Sequence, residues 1–190
     1  PQKWKLTPTT VGMEGIWNIA ASGDNGYVLD INNESLNDGA NVKLYHSTGN
    51  ANQKFIVQSI QDQYYVIRAL NSGKLLNIDG GKSANGTNVM QYHSTDLPEN
   101  NEKWQIIPNA DGTYCFVGVC NGLYMDLNDN SLKDNTNVQM WTGNHTGAQK
   151  WNLTNGYAAV PDGVYQFLSA ADQSFAIDVA ADNEEMAMSN

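Results

Sequence analysis

The chain has 190 residues and carries 20 acidic against 10 basic side chains, a formal net charge of −10. That charge repels a phosphate backbone or an anionic membrane surface, so nucleic acid is not expected as a partner. No window approaches the roughly 18 to 20 uninterrupted apolar residues of a membrane span, so insertion is not expected either, and the length allows one domain or one and a half with a true apolar core.

In chain order, the first recognisable segment is "QKW" at Gln2 to Trp4, followed by the Pro/Gly/Thr-rich "KLTPTTVGMEGI". "GIWNIAAS" from Gly15 then alternates apolar with polar or small residues, as a half-buried strand does. "YVLDI", ending at Ile31, and "NVKLYHSTGNANQKF", residues 41–55, follow it. The same succession returns as "QYYVIRAL" from Gln63, "LLNI" ending at Ile78 and "NVMQYHSTDLPENNEKW" from Asn88. It returns again as "GTYCFVGV" from Gly112, "YMDL" ending at Leu127 and "NVQMWTGNHTGAQKW" from Asn137. After "NLTNGYAAVPDGV", a fourth round begins with "GVYQFLSA" at Gly163 and "FAIDV" ending at Val179. Each round reads as four short strands. Asn25-Gly26 and Asn121-Gly122 are expected to turn tight hairpins within them. Gly, Asn, Asp and Thr interrupt every run before two helical turns could form.

The spacing is regular enough to fix a topology. The closing aromatics Trp4, Phe55, Trp104 and Trp151 are separated by 51, 49 and 47 residues. From Asp30 to Tyr45, Asn77 to Tyr92 and Asp126 to Trp141 the interval is 15 residues each time. Twelve strands in three equal units predict an all-β, pseudo-threefold barrel with one closing aromatic from each unit in a shared core. The linker-like stretches place boundaries near residues 10 and 155: 1–10 as a terminal strand plus linker, 11–155 as the threefold domain, and 156–190 as a linker and the start of an incomplete further unit. In that last unit, 15 residues beyond Asp178 would be position 193, so no aromatic partner for it is expected.

Other chemistries find little support. Cys115 and Cys120, five residues apart on one extended segment, would place their Cα atoms roughly 16 Å apart. A bridge needs less than about 7 Å, so two free thiols are expected. His46 and His93 occupy matching repeat positions, and a threefold arrangement holds them and His145 apart, so no metal site is expected. "DINNES" and "DLNDNS" begin like calcium loops, but neither has glycine at the sixth place, and their twelfth residues are Asn41 and Asn137 rather than glutamate. There is no nucleophile elbow, HExxH or P-loop, so neither an enzyme nor a cofactor is expected.

A threefold unit of about fifty residues carrying "LD[IV]…NV.LY…QKW" resembles the ricin-type lectin β-trefoil, which is also grouped with the carbohydrate-binding modules. The resemblance covers Gly15 to Trp151, and the flanks resemble pieces of neighbouring trefoils. It lacks the cysteine pair that many members place beside the LD and LY strings, where Val28 and Ser47 stand in the first unit. The resemblance implies a non-catalytic, multivalent glycan binder with up to three shallow sites, secreted or at a cell surface, bacterial, and a targeting part of a larger protein with neighbouring trefoils or a catalytic domain. Galactose, xylose and N-acetylated sugars are the implied partners. A protein-contact or spacer trefoil with decayed sites is the alternative.

The implied site has a simple chemical logic. A neutral sugar needs a carboxylate to accept from two adjacent hydroxyls, an amide that donates and accepts, and an aromatic face for its C–H-rich side. In the first unit Asp30, Tyr45 and Asn52 match these positions, with Lys43 where Gln is frequent and Gln53 bracing the carboxylate. In the third, Asp126, Gln139, Trp141 and Gln149 match; Ala148 replaces the amide, leaving Asn144 or His145 to compensate. In the second, Asn77 replaces the carboxylate and Glu102 the triplet glutamine, while Tyr92 and Asn101 remain. The expected order of the sites is therefore first, third, second.

Overall fold

The structure, a computed structural model, describes residues 4–5, 14–60, 63–94, 97–155, 164–165, 176–179 and 186–189. The chain divides into two compact units, one of Gly12–Ala158 and one of Pro1–Val11 with Ala159–Asn190. Strand β1, Trp4–Lys5, belongs to the second of these.

The larger unit holds twelve strands in three lobes. Lobe 1 comprises β2 (Gly15–Ala21), β3 (Asp24–Ile31), β4 (Val42–His46) and β5 (Phe55–Ser59). Lobe 2 comprises β6 (Tyr65–Ala69), β7 (Leu75–Ile78), β8 (Thr87–Tyr92) and β9 (Trp104–Pro108). Lobe 3 comprises β10 (Tyr114–Gly118), β11 (Tyr124–Leu127), β12 (Val138–Trp141) and β13 (Trp151–Asn155). The first and fourth strands of the lobes close a six-stranded antiparallel ring: β2 pairs β5, β5 pairs β6, β6 pairs β9, β9 pairs β10, β10 pairs β13, and β13 returns to β2. The middle strands form three hairpins, β3–β4, β7–β8 and β11–β12. This is the β-trefoil. Closure leaves the barrel without an exposed edge.

Period-two alternation explains the core. Along the hairpins Leu29, Ile31, Val42 and Leu44 are fully buried in lobe 1, Leu76, Ile78 and Val89 in lobe 2, and Val138 and Met140 in lobe 3. Phe55, Trp104 and Trp151 open the fourth strands, fully buried, and anchor one continuous cluster. Truncating such a side chain to Ala costs about 3–5 kcal/mol. Each indole must also satisfy its N–H, and Trp104 and Trp151 donate to Leu76 O (3.3 Å) and Met125 O (3.2 Å). Phe55 carries no such donor. Gln91, fully buried where Leu44 and Met140 stand in the other lobes, reaches into lobe 1 and donates to Ser35 O (2.8 Å) and Asn37 O (2.9 Å).

Two polar devices link the lobes and repeat with the threefold. Asn88 donates through Nδ2 to Asn41 Oδ1 (2.8 Å), Asn41 to Asn137 Oδ1 (2.8 Å), and Asn137 to Asn88 Oδ1 (3.0 Å). The three asparagines that open each "NV" string thus form a closed, head-to-tail ring. Further out, an Asx side chain of each lobe clasps the residue after the aromatic of the next. Asp38 accepts from the His93 backbone N–H (2.8 Å), Asn85 from that of Thr142 (2.8 Å), and Asp134 from that of His46 (2.8 Å).

Several local expectations are refined. Asn25-Gly26 does not form the hairpin turn. Ser22-Gly23 turns the chain, and Asn25 and Gly26 lie inside β3, where Asp24 Oδ1 accepts from Gly26 N at 2.7 Å and removes the need for a positive-φ corner. Gly122 does take φ +68 in the turn between β10 and β11. Cys115 is buried and Cys120 half-buried, both as free thiols. Among the described residues the helical pieces are 3-10 turns alone.

In the smaller unit, β1 pairs antiparallel with β14 (Val164–Tyr165), and β15 (Ala176–Val179) pairs with β16 (Met186–Ser189). The Trp4↔Tyr165 register is the one that joins fourth to first strand within each complete lobe: Phe55↔Trp17, Trp104↔Tyr65 and Trp151↔Tyr114. Ser189, opposite Ala176, holds the place that Tyr45 holds opposite Val28. Position 193 is therefore not the equivalent place, because this hairpin is shorter, and the aromatic is replaced by serine.

Candidate functional site

Each lobe carries a cavity between its middle hairpin, the 3-10 turn after the second strand, and the 3-10 turn before the fourth. The first of these turns has the same unusual backbone in all lobes. Asn33 and Glu34, Gly80 and Gly81, and Asp129 and Asn130 all have positive φ. Asn, Asp and Gly tolerate that conformation, whereas Glu34 at φ +53 bears a cost of about 1–2 kcal/mol.

In lobe 1, Asp30, Lys43, Tyr45 and Asn52 line a cavity of about 170 Å³ together with Asn33, Glu34, Thr48 and Asn50. Asp30 is buried at the end of β3, and its Oδ2 accepts from Asn52 Nδ2 (2.9 Å) and Gln53 Nε2 (3.0 Å). Both donors use one oxygen, which leaves Oδ1 for a ligand. Gln53 stands behind the carboxylate, fully buried, and is held by His46 O and the Thr48 N–H. Asn52 is only 4% exposed; Nδ2 also donates to Ile31 O (3.1 Å), yet its Oδ1 has no hydrogen-bond partner. An orphan acceptor on the wall of a polar cavity is costly unless a donor arrives there. Lys43, directly across the hairpin from Asp30, places Nζ 4.5 Å from the centre of the Tyr45 ring and donates to Asn135 Oδ1 at 2.6 Å. Burial raises the Asp30 carboxyl above its ordinary value, opposed by Gln53, Lys43 and Asn52.

Lobe 3 repeats this with changes. Asp126, Gln139, Trp141, Asn144 and Ala148 line a cavity of about 290 Å³. Asp126 Oδ1 accepts from Gln139 Nε2 and Oδ2 from Gln149 Nε2, each at 3.1 Å. Burial raises this carboxyl too, opposed by those two amides. Trp141 is 38% exposed, as a stacking surface requires. Asn144 lines the cavity, but its Oδ1 accepts from the Thr146 N–H (3.0 Å) and hydroxyl (2.8 Å), and His145 packs edge-on to Tyr124.

Lobe 2 has the largest cavity, about 380 Å³, lined by Asn77, Met90, Tyr92, His93, Asn101 and Glu102 with Asp79, Gly80 and Glu99. Cavity size therefore runs opposite to the order read from the sequence. The first cavity is lined by Lys43 and Asn52, where the third has Gln139 and Ala148 and the second Met90 and Asn101. The sequence reading did not include Asn33, Glu34, Asp79 or Asp129. The Asn/Asp/Gly-rich triplets after each second strand, "NNE", "DGG" and "NDN", were the available signal.

The family model described as ricin-type beta-trefoil lectin domain-like matches residues 1–92 and 100–188. Among solved structures, the designed threefold-symmetric protein ThreeFoil is similar at 31% identity and a TM-score of 0.70, over 74% of this chain and 98% of that one. A mosquitocidal holotoxin is similar at 24% identity and a TM-score of 0.70, over 94% of this chain but 22% of its own. The Macrolepiota procera ricin B-like lectin, solved with lactose, is similar at 20% identity and a TM-score of 0.64, over 77% of this chain and 99% of that one. No curated protein matches.

Proposed function

The chain belongs to the ricin-type beta-trefoil lectin-like family, and from that premise we propose that it binds glycans without catalysing their conversion. The observation that carries the reading is the pair of unused acceptors in lobe 1, Asp30 Oδ1 and the buried Asn52 Oδ1, beside the half-buried Tyr45 ring. Two adjacent hydroxyls of a sugar supply the donors these atoms lack, and the ring receives its C–H face. Lobe 3 offers the Asp126 and Trp141 version of the arrangement. Such sites are shallow and individually weak. Together they raise apparent affinity for clustered glycans by ~10²-fold or more through effective concentration.

The chain is read as a targeting part of a larger secreted or cell-surface protein, which its small share of the holotoxin's length supports. A glycan array with the wild type, Asp30→Ala and Asp126→Ala tests the sites: each variant is expected to lose signal, and equal binding by all three overturns the assignment. A protein-contact or spacer role is favoured by Asn77 and Ala148, where the expected carboxylate and amide are absent. Unchanged Trp141 fluorescence with galactose, xylose and N-acetylated sugars, together with capture of a protein partner, would select that second reading.

A further inference from the structure

Lobe 2 keeps the amide–carboxylate pair of the other lobes with its members exchanged. In lobe 1 Gln53 donates to Asp30, and in lobe 3 Gln149 donates to Asp126. In lobe 2 the second-strand residue is the amide, and Asn77 Nδ2 donates to Glu102 Oε1 at 3.4 Å. Glu102 is buried, and its other oxygen accepts from Glu99 N (3.0 Å) and Ser94 Oγ (3.2 Å). The negative charge has moved from the ligand side of the site to its back. Asn77 Oδ1 already accepts from Asn101 Nδ2 at 3.2 Å, and its amide nitrogen keeps a second N–H for the cavity, a donor that a carboxylate does not have. Lobes 1 and 3 present acceptors alone at this place; lobe 2 adds a donor.

The facing strand changes in step. Directly across from Asp30, Asn77 and Asp126 stand Lys43, Met90 and Gln139. Polar groups in two lobes are thus replaced by a thioether in the third, half-buried on the cavity wall. A diol placed here finds no carboxylate at the second-strand position: Glu102 has both oxygens engaged, Asp79 and Glu99 belong to the flanking turns, and Met90 lies against its hydroxyls. An acetamido group suits both neighbours: its carbonyl oxygen accepts from Asn77 Nδ2, its methyl packs on Met90, and the sugar ring lies on Tyr92, 38% exposed. The extra volume of this cavity accommodates the substituent.

We propose that lobe 2 selects N-acetylated hexosamines while lobes 1 and 3 take unmodified vicinal diols. This rests on the glycan-binding reading above. The test uses the full chain with Tyr45→Ala and Trp141→Ala, which remove the half-buried and the exposed platform of the other lobes and touch no fully buried core residue. Ligand-observed NMR titration compares a methyl hexoside with the corresponding N-acetylhexosaminide. The double variant is expected to bind the N-acetylated sugar at least tenfold more tightly, with strongest saturation at the acetyl methyl. Met90→Gln added to it is expected to cut that preference below threefold. In the otherwise wild-type chain, Tyr92→Ala is expected to remove the acetyl-methyl signal and Trp141→Ala to retain it. Equal binding of the two sugars by the double variant overturns the proposal, as does loss of N-acetylhexosaminide binding while the wild type still binds the hexoside, an outcome that leaves the glycan-binding reading standing. A wild type that binds neither sugar overturns both.

Discussion

Asp134 of lobe 3 holds His46 of lobe 1 at two points, accepting the backbone N–H on Oδ1 and facing the ring Nδ1 with Oδ2, each at 2.8 Å. Asp38 repeats the grip on His93, with Nδ1 at 2.7 Å, and also takes Lys74 Nζ at 2.6 Å. Each clasped histidine follows a candidate platform and its ring leans on it: Tyr45 with His46 at 4.4 Å and Tyr92 with His93 at 4.8 Å between centroids. The contacts that tie lobes together are therefore the contacts that orient the stacking surfaces.

These clasps set an acid limit on the fold. Lys74 and then His93 hold the Asp38 carboxyl down at about 2, against an ordinary 3.8, and His46 depresses Asp134. A carboxylate depressed in the folded state stabilises it above the unfolded value and loses that contribution as pH falls through the folded one. Urea midpoints are expected to decline between pH 4 and about 2, and Asp38→Asn is expected to flatten that decline.

Binding is expected to fail before folding does. Asp30 and Asp126 are raised by burial, so they take up a proton above the ordinary 3.8 and lose the acceptor that a diol requires. The fluorescence response of Trp141 to sugar should titrate away at a higher pH than the circular dichroism of the fold. Coincident transitions would contradict this order.

The amide at lobe 1 can be moved. Asn52→Ala removes hydrogen bonds to Asp30 Oδ2 and Ile31 O and is expected to lower both stability, by about 1–2 kcal/mol, and lobe 1 affinity. Ala148→Asn installs the same group in lobe 3 and is expected to raise affinity there about tenfold, or about 1.4 kcal/mol, by titration of a Tyr45→Ala background.

Glu34 offers a trade between stability and binding. Glu34→Gly relieves the left-handed backbone at φ +53 and removes a wall of the lobe 1 cavity. It is expected to raise stability by about 0.5–1 kcal/mol while weakening lobe 1 binding severalfold, as measured by denaturation and titration of one preparation.

The asparagine ring should fail as a unit. Asn88→Ala orphans the acceptor of Asn41 and the donor of Asn137, and is expected to cost about 1–3 kcal/mol. Asn41→Ala added to it should cost clearly less than it does alone, a non-additivity readable in thermal midpoints.

The fold was legible because its signal is periodic. Phe55, Trp104 and Trp151 recur in phase, and alternation along each string names the buried face without any knowledge of partners. The lining of the candidate site was legible where one lobe supplies it, as with Asp30, Lys43, Tyr45 and Asn52 around one cavity. Lobe-to-lobe chemistry was not legible: Asn41, Asn88 and Asn137 are visible as equivalent positions, but nothing in a linear spacing says that a threefold axis brings them within 2.8–3.0 Å. The sequence shows Asn77 and Glu102 as two separate substitutions that put lobe 2 last in order, because a one-dimensional comparison does not see the contact that joins them.

A ring in which every member both gives and receives has no first or last place. Repeats that arise by copying are free to drift apart wherever a lobe answers only to itself, as Lys43, Met90 and Gln139 do. At Asn41, Asn88 and Asn137 a change in one copy injures both others, so the same chain holds a centre bound to sameness and a rim at liberty to diversify. Such a scaffold can acquire three recognition chemistries while retaining one fold.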